Sequence, residues 1–109
     1  VKERDIEKYL VKRVKALGGE VRKVTWQGRK SAPDRLVMLP ERTNPGKPHP
    51  FHNYGAETIW VELKNPDTVK TFPANAHERA QHREHQRMRA MGQRVEVIGT
   101  LDGVDDVLR

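Results

Sequence analysis

The chain has 109 residues, 33% of them charged, 35% hydrophobic and 6% aromatic. That suffices for a single domain with one modest core, and no apolar run approaches the roughly 20 residues that span a bilayer. Lys and Arg outnumber Asp and Glu by 21 to 15, a formal charge of +6 that suits a polyanionic partner, and the absence of Cys excludes disulfides and thiolate metal sites and fits a reducing cytoplasm.

Lys2 to Leu17 reads as a helix, because Ile6, Leu10, Val14 and Leu17 recur at helical spacing. Charge and periodicity at Val1 to Leu10 leave no apolar stretch of the kind a secretory signal needs. Gly18-Gly19 closes the helix. Glu20 to Trp26 alternates and predicts a strand, and Gln27 to Pro33 a turn. Arg35 to Leu39 predicts a short apolar strand that stops at Pro40. Residues 40–57, rich in Pro and Gly, predict a long loop inserted between two strands rather than a domain boundary. Thr58 to Lys64 is the best strand in the sequence. Asn65-Pro66-Asp67 ends it, and Thr68 to Asn75 reads as a second loop. Ala76 to Met91 predicts a strongly basic helix closed by Gly92, Arg94 to Ile98 a strand, and Asp102 to Leu108 a final helix with Asp102 as N-cap. The expected order is α-β-β-β-α-β-α, an α/β domain spanning residues 1–109.

Three polar residues stand where a purely structural strand would not need them. Asp34 follows Pro33 and precedes an apolar strand, and Glu62 and Lys64 lie two apart in the strongest strand. Strand side chains alternate, so Glu62 and Lys64 share one face and Ile59, Val61 and Leu63 the other. By themselves Glu62 and Lys64 read as a surface ion pair sooner than as a catalytic pair. The Pro33-Asp34 turn and the basic charge turn the reading toward phosphodiester hydrolysis. Mg²⁺ prefers hard oxygens, which Asp34, Glu62 and the backbone carbonyl of Leu63 would supply. Lys64 would orient the attacking water or stabilise charge building on the phosphate.

Pro33-Asp34 followed by Glu62-Leu63-Lys64 is similar to the PD-(D/E)xK nuclease signature. More narrowly, the chain resembles the VRR-NUC family in Glu3-Arg-Asp-Ile-Glu-Lys-Tyr-Leu, Leu17-Gly-Gly, Ala32-Pro-Asp-Arg-Leu-Val, Trp60-Val-Glu-Leu-Lys, Gln81 and Met91-Gly-Gln-Arg-Val, covering about Glu3 to Val107. The resemblance implies a restriction-endonuclease-like fold, a central mixed sheet of about four strands flanked by helices, and hydrolysis of DNA with Mg²⁺ or Mn²⁺. It makes Asp34 and Glu62 metal ligands and Lys64 the catalytic lysine. Glu3 matches the acid of the first helix, with Glu7 one turn away on the same face as the alternative. Gln81 matches a late glutamine that lines the site, ahead of Gln86. Lys23 matches a position where the family often carries Lys. The family often has Gly shortly before the Pro-Asp pair, where this chain has Ser31 and Ala32. Single-domain phage members resemble Holliday-junction resolvases acting as homodimers, which implies branched DNA as partner and, for a phage gene, the host cytoplasm. A nicking or flap-type nuclease and a non-catalytic nucleic-acid-binding module are the alternatives.

Arg29, Lys30 and Arg35 flank Asp34 and are, with Lys23, the candidate DNA contacts. The arginines of the basic helix, Arg79, Arg83, Arg87 and Arg89, read equally as phosphate contacts or as a solvated face. His82 and His85 have a spacing that can hold zinc but lack partners at a convincing spacing. The sequence favours His85 on the side of Gln81 and Met88, with His82 facing solvent. His49, Phe51, His52 and Tyr54 are expected to pin the Pro-rich loop to the domain or to a partner subunit. Trp26 is expected in the core or an interface, and Trp60 beside the active site.

Overall fold

The computed structural model describes residues 1–43 and 53–109, apart from the side chains of Thr43, Asn53 and Tyr54. The expected pinning by His49, Phe51, His52 and Tyr54 therefore lies outside what is described, as does the middle of the predicted 40–57 loop.

Helix α1 spans Glu3–Ala16 and strand β1 Glu20–Lys23. Gly18 (φ 86°) reverses the chain between them, and a Cβ on Gly19 would stand 2.2 Å from the carbonyl oxygen of Met38, so only glycine lets β1 enter the sheet this closely. β2 is Arg35–Leu39, and β3 (Arg42–Thr43) pairs with β4 (Asn53–Tyr54) as a small antiparallel ribbon. β5 is Glu57–Leu63, α2 Pro66–Val69, α3 Ala76–Ala90, β6 Arg94–Ile98 and α4 Leu101–Val107. The main sheet runs β1-β2-β5-β6, with antiparallel pairs at β1–β2 and β2–β5 and a parallel pair at β5–β6. The parallel step is crossed by α3, the usual way to return a chain to the same sheet end.

One face of the sheet carries the apolar core. Ile6, Leu10 and Val14 of α1 meet Val37, Ile59, Val61, Leu63 and Ile98 of the strands and Val104 of α4. Each such side chain contributes roughly 1.5–3 kcal/mol on burial. The i, i+4 stripe of α1 and the odd-numbered residues of β5 are what bring these groups together. No described helix is long and apolar enough to cross a membrane.

Four expectations need correction. The first strand stops at Lys23 rather than Trp26: beyond Lys23↔Arg35 the ladder keeps only the Val24 N–H to Asp34 O bond (2.9 Å), and Pro33 has no N–H to continue with. The segment read as a loop after β5 opens with α2, because Pro66 sits in its first turn and the Asn65 side chain accepts from Asp67 N and Thr68 N (3.0 and 2.8 Å). The cap of α4 is Thr100, whose hydroxyl accepts from Gly103 N at 2.8 Å, and not Asp102, which lies inside the helix. The β3–β4 ribbon adds two short strands to the expected order.

Candidate active site

The other face of the sheet is covered by α3, and its buried stripe is mostly polar: Glu78, Gln81, Glu84, His85 and Met88. Desolvating so many polar groups costs free energy that a structural helix would avoid with Leu or Ile. Opposite them, β5 presents Trp60, Glu62 and Lys64 on one face, as its period predicts.

Lys64 Nζ donates to Gln81 Oε1 at 2.8 Å and pairs with Glu78 Oε2 at 3.3 Å, and it lies 5.2 Å from the centre of the Phe72 ring. Its side chain is 11% exposed, so the ammonium is held at the site's edge rather than swung into solvent. The Ala74 N–H, donating to Glu78 Oε1 at 2.9 Å, and then Lys64 hold the Glu78 carboxyl below its ordinary value of 4.5, outweighing the opposing effect of burial. A depressed acid stabilises the fold above its unfolded pKa, and that contribution is lost as pH falls through the folded value. Thermal melting of Glu78→Gln should therefore fall off less steeply than wild type below about pH 4.5. Parallel curves would remove this role for Glu78.

Glu62 is nearly buried, and its Oε1 lies 3.3 Å from Nε2 of the fully buried His85. A carboxylate only accepts, so Nε2 carries the hydrogen, and Nδ1 is the one buried side-chain polar atom without a hydrogen-bond partner among the described residues. The ring stacks on Phe72, with centroids 5.9 Å apart. His82 meets the edge of the same Phe72 ring and is half-buried rather than fully solvent-facing.

The β2–β5 ladder ends at Arg35↔Val61, and continuing its count by one residue brings Asp34 to the level of Glu62. Directly opposed residues of an antiparallel pair share a face, so the two carboxylates look toward the same space. Asp34 is half-exposed and pairs with Arg35 Nη1 at 3.0 Å. Arg35, 14% exposed, also pairs with Glu7 of α1 at 2.6 Å. Thus Glu7, through Arg35, is the α1 acid connected to Asp34. Glu3 is exposed, one turn earlier.

The backbone of Leu63 adds a third oxygen. Lys64 N donates to Ile98 O at 2.8 Å across the parallel ladder, so the Leu63 amide and carbonyl point the other way, toward β2. The paired register ends at Arg35↔Val61, and Pro33, two residues before Arg35, has no N–H with which to extend it. Two carboxylates at the end of the β2–β5 ladder, with the Leu63 carbonyl turned to the β2 side, are a hard-oxygen set that suits a divalent cation. No cluster of three or more His, Cys, Asp or Glu stands ready for a metal among the described residues, so backbone and water oxygens would have to complete the shell.

Of the candidate DNA contacts, Lys23 lies exposed at the end of β1 and Lys30 in the turn before Ser31. Ser31 has φ 68°, the left-handed conformation that glycine usually supplies, so the turn into Pro33-Asp34 keeps that geometry without a glycine. Arg29 pairs with Glu84 at 3.0 Å, and Arg35 is committed to Asp34 and Glu7. No sequence signal marks Glu78 and Glu84: both are acidic residues on a basic helix, and only their burial reveals them.

No family model matches the chain. A curated relative named "Putative nuclease p44", from Acyrthosiphon pisum secondary endosymbiont phage 1, is 34% identical over 102 residues, covering 94% of this chain and 87% of the relative. A solved structure described as a VRR_NUC domain is similar over 99% of this chain and 95% of its own, with 33% identity and a TM-score of 0.68. With that agreement in sequence and in fold, on a mixed four-stranded sheet with Pro33-Asp34 at the head of β2 and Glu62-x-Lys64 at the end of β5, the chain belongs to the VRR-NUC nuclease family.

Proposed function

We propose that the protein is a divalent-metal-dependent DNA endonuclease that hydrolyses phosphodiester bonds in branched DNA, as a Holliday-junction resolvase working as a homodimer. What supports the hydrolytic reading is the placement of Asp34 one residue beyond the last β2–β5 pair, at the end of the strand that carries Glu62, with Lys64 on the same face and held by Gln81. Asp34, Glu62 and the Leu63 carbonyl would hold Mg²⁺ or Mn²⁺, which when bound supplies a more acidic water and polarisation of the phosphoryl oxygens. Lys64 donates toward the phosphate or the attacking water. The water oxygen forms the new bond to phosphorus, the scissile P–O bond breaks, and its oxygen leaves with a proton. Gln81 and Glu78 hold the Lys64 ammonium in place, and Glu7 acts at one remove by fixing Arg35 against Asp34. Glu3, if engaged, would act from the exposed start of α1.

One chain carries one such carboxylate pair, so two symmetric cuts across a junction need two copies, which favours a twofold dimer. The net charge of +6 favours a polyanionic substrate, with Lys23 and Lys30 as the exposed cations next to the site. The test is a panel of labelled four-way junctions, flaps and linear duplexes with Mg²⁺, Mn²⁺ or EDTA, alongside light scattering at micromolar protein. The expected result is metal-dependent, paired cleavage of the junction by a dimer. A strict monomer with and without DNA would sink the resolvase reading, and cleavage of flaps alone would move the assignment to a flap-type enzyme.

A further inference from the structure

The chain has two tryptophans, and both stand in one groove beside the carboxylates. The Trp26 and Trp60 rings lie 5.1 Å apart, inclined at 43°. With Arg29, Met88, Met91 and Gln93 they line a cleft of about 290 Å³, at the small end of clefts that take a single ring system. Trp60 precedes Glu62 by two residues on the same strand face, about 7 Å along the strand. Trp26 Nε1 donates to the carbonyl oxygen of Pro33 at 2.8 Å, the residue before Asp34. The two walls of the groove are therefore attached to the two segments that carry the carboxylates.

The groove is apolar on its walls and cationic at its rim. Glu84 is 4% exposed in its side chain, and Arg29 and Arg87 both pair with its Oε1, at 3.0 and 2.7 Å. Two guanidiniums, each more than half exposed, share one buried carboxylate, leaving a net positive rim. Gln93 accepts from Trp60 Nε1 at 3.2 Å and places an amide in the same wall. Indole faces for stacking, a polar amide and a cationic rim are the chemistry that receives an unpaired base with its phosphate. A fully paired duplex keeps its bases stacked on one another and has none to offer.

We infer that the Trp26–Trp60 groove is a binding site for an unpaired base of the DNA strand next to the scissile phosphate, so that displaced or single-stranded nucleotides at a branch are read beside the carboxylates. This rests on the nuclease reading above and names how that site selects its substrate. Because the chain's two tryptophans both line the groove, intrinsic emission reports its occupancy.

The experiment titrates the protein, in EDTA so that nothing is cleaved, with single-stranded oligothymidylate and with a blunt, fully paired duplex. Bound fraction is followed by anisotropy of labelled DNA. Oligothymidylate is expected to change tryptophan emission in proportion to binding, and the duplex to bind without changing it. Met91, 72% exposed at the groove, allows a variant that does not disturb the core. Met91→Glu is expected to weaken oligothymidylate binding severalfold more than duplex binding, since its charge acts on both DNAs but its side chain obstructs a groove that only the unpaired bases enter. Unchanged emission at saturating oligothymidylate, or equal changes with both DNAs, overturns the inference. So does an emission change that follows protein concentration without DNA and is abolished in Met91→Glu, which would make the groove an interface between two copies. Adding Mn²⁺ to the same samples with branched DNA separates the two readings. Loss of all cleavage there would sink the nuclease assignment, whereas the emission decides the groove by itself.

Discussion

Lys64→Met is expected to lower the cleavage rate by about 10²–10⁴-fold, the range for losing a positioned cation or proton donor at a reacting centre. Binding of DNA should change little, because Lys64 is 11% exposed and its Nζ is engaged by Gln81 and Glu78. Methionine keeps the length of the stem and its packing against Phe72, which separates lost chemistry from lost structure. The change leaves Glu78 without its cation but still accepting from Ala74 N, so the melting temperature should drop only modestly. Asp34→Asn should show a comparable loss of rate, since an amide oxygen is a weaker ligand for a hard cation than a carboxylate. Arg35 would still have Glu7 as partner, at 2.6 Å. Single-turnover cleavage of a labelled junction with Mn²⁺ reads both. Wild-type rates in both variants would remove the proposed site.

The second large effect is expected at His85. Its Nε2 is the protein donor on Glu62 Oε1, and holding one carboxylate oxygen fixes the direction of the other. His85→Phe keeps a ring against Phe72 and deletes the donor. It should weaken Mn²⁺ binding by about 10–100-fold, the usual cost of losing a partner that orients a metal ligand. Cleavage should recover at high metal concentration. His85→Gln, whose amide nitrogen reaches about as far as Nε2, should restore most of the affinity. The readout is a Mn²⁺ titration by electron paramagnetic resonance without DNA, independent of turnover. If His85→Phe binds Mn²⁺ as wild type does, His85 is only packing. If wild type itself binds none, the metal assignment to Glu62 fails instead.

Where the physics is local and periodic, this protein is legible in its sequence. The period of two in β5 put Glu62 and Lys64 on one face and Ile59, Val61 and Leu63 on the other, because alternation is a property of the extended chain itself. The i, i+4 stripe of α1, the Gly18 reversal and the apolar β2 after Pro33-Asp34 were legible for the same reason. The cap that starts α2 is equally local, in Asn65 and Pro66, but a four-residue helix leaves no periodicity, so the sequence shows there only the end of a strand.

The tertiary structure decided what depends on register and on burial. That Asp34 comes level with Glu62 follows from the β2–β5 pairing, which no single segment specifies. That the Leu63 carbonyl is turned toward β2 follows from the Lys64 N–H being taken by Ile98 of β6. That Glu7 of α1 reaches Arg35 of β2, 28 residues away in sequence, depends on where the fold docks the helix. Glu78 and Glu84 look like solvated charges in a basic helix until the fold buries them against Lys64 and Arg29. Asp34, Glu62 and Lys64 could be picked out one by one from the chain, but their assembly depends on contacts between residues far apart in sequence. Those contacts form only when apolar burial on the α1 face fixes the order and register of the strands.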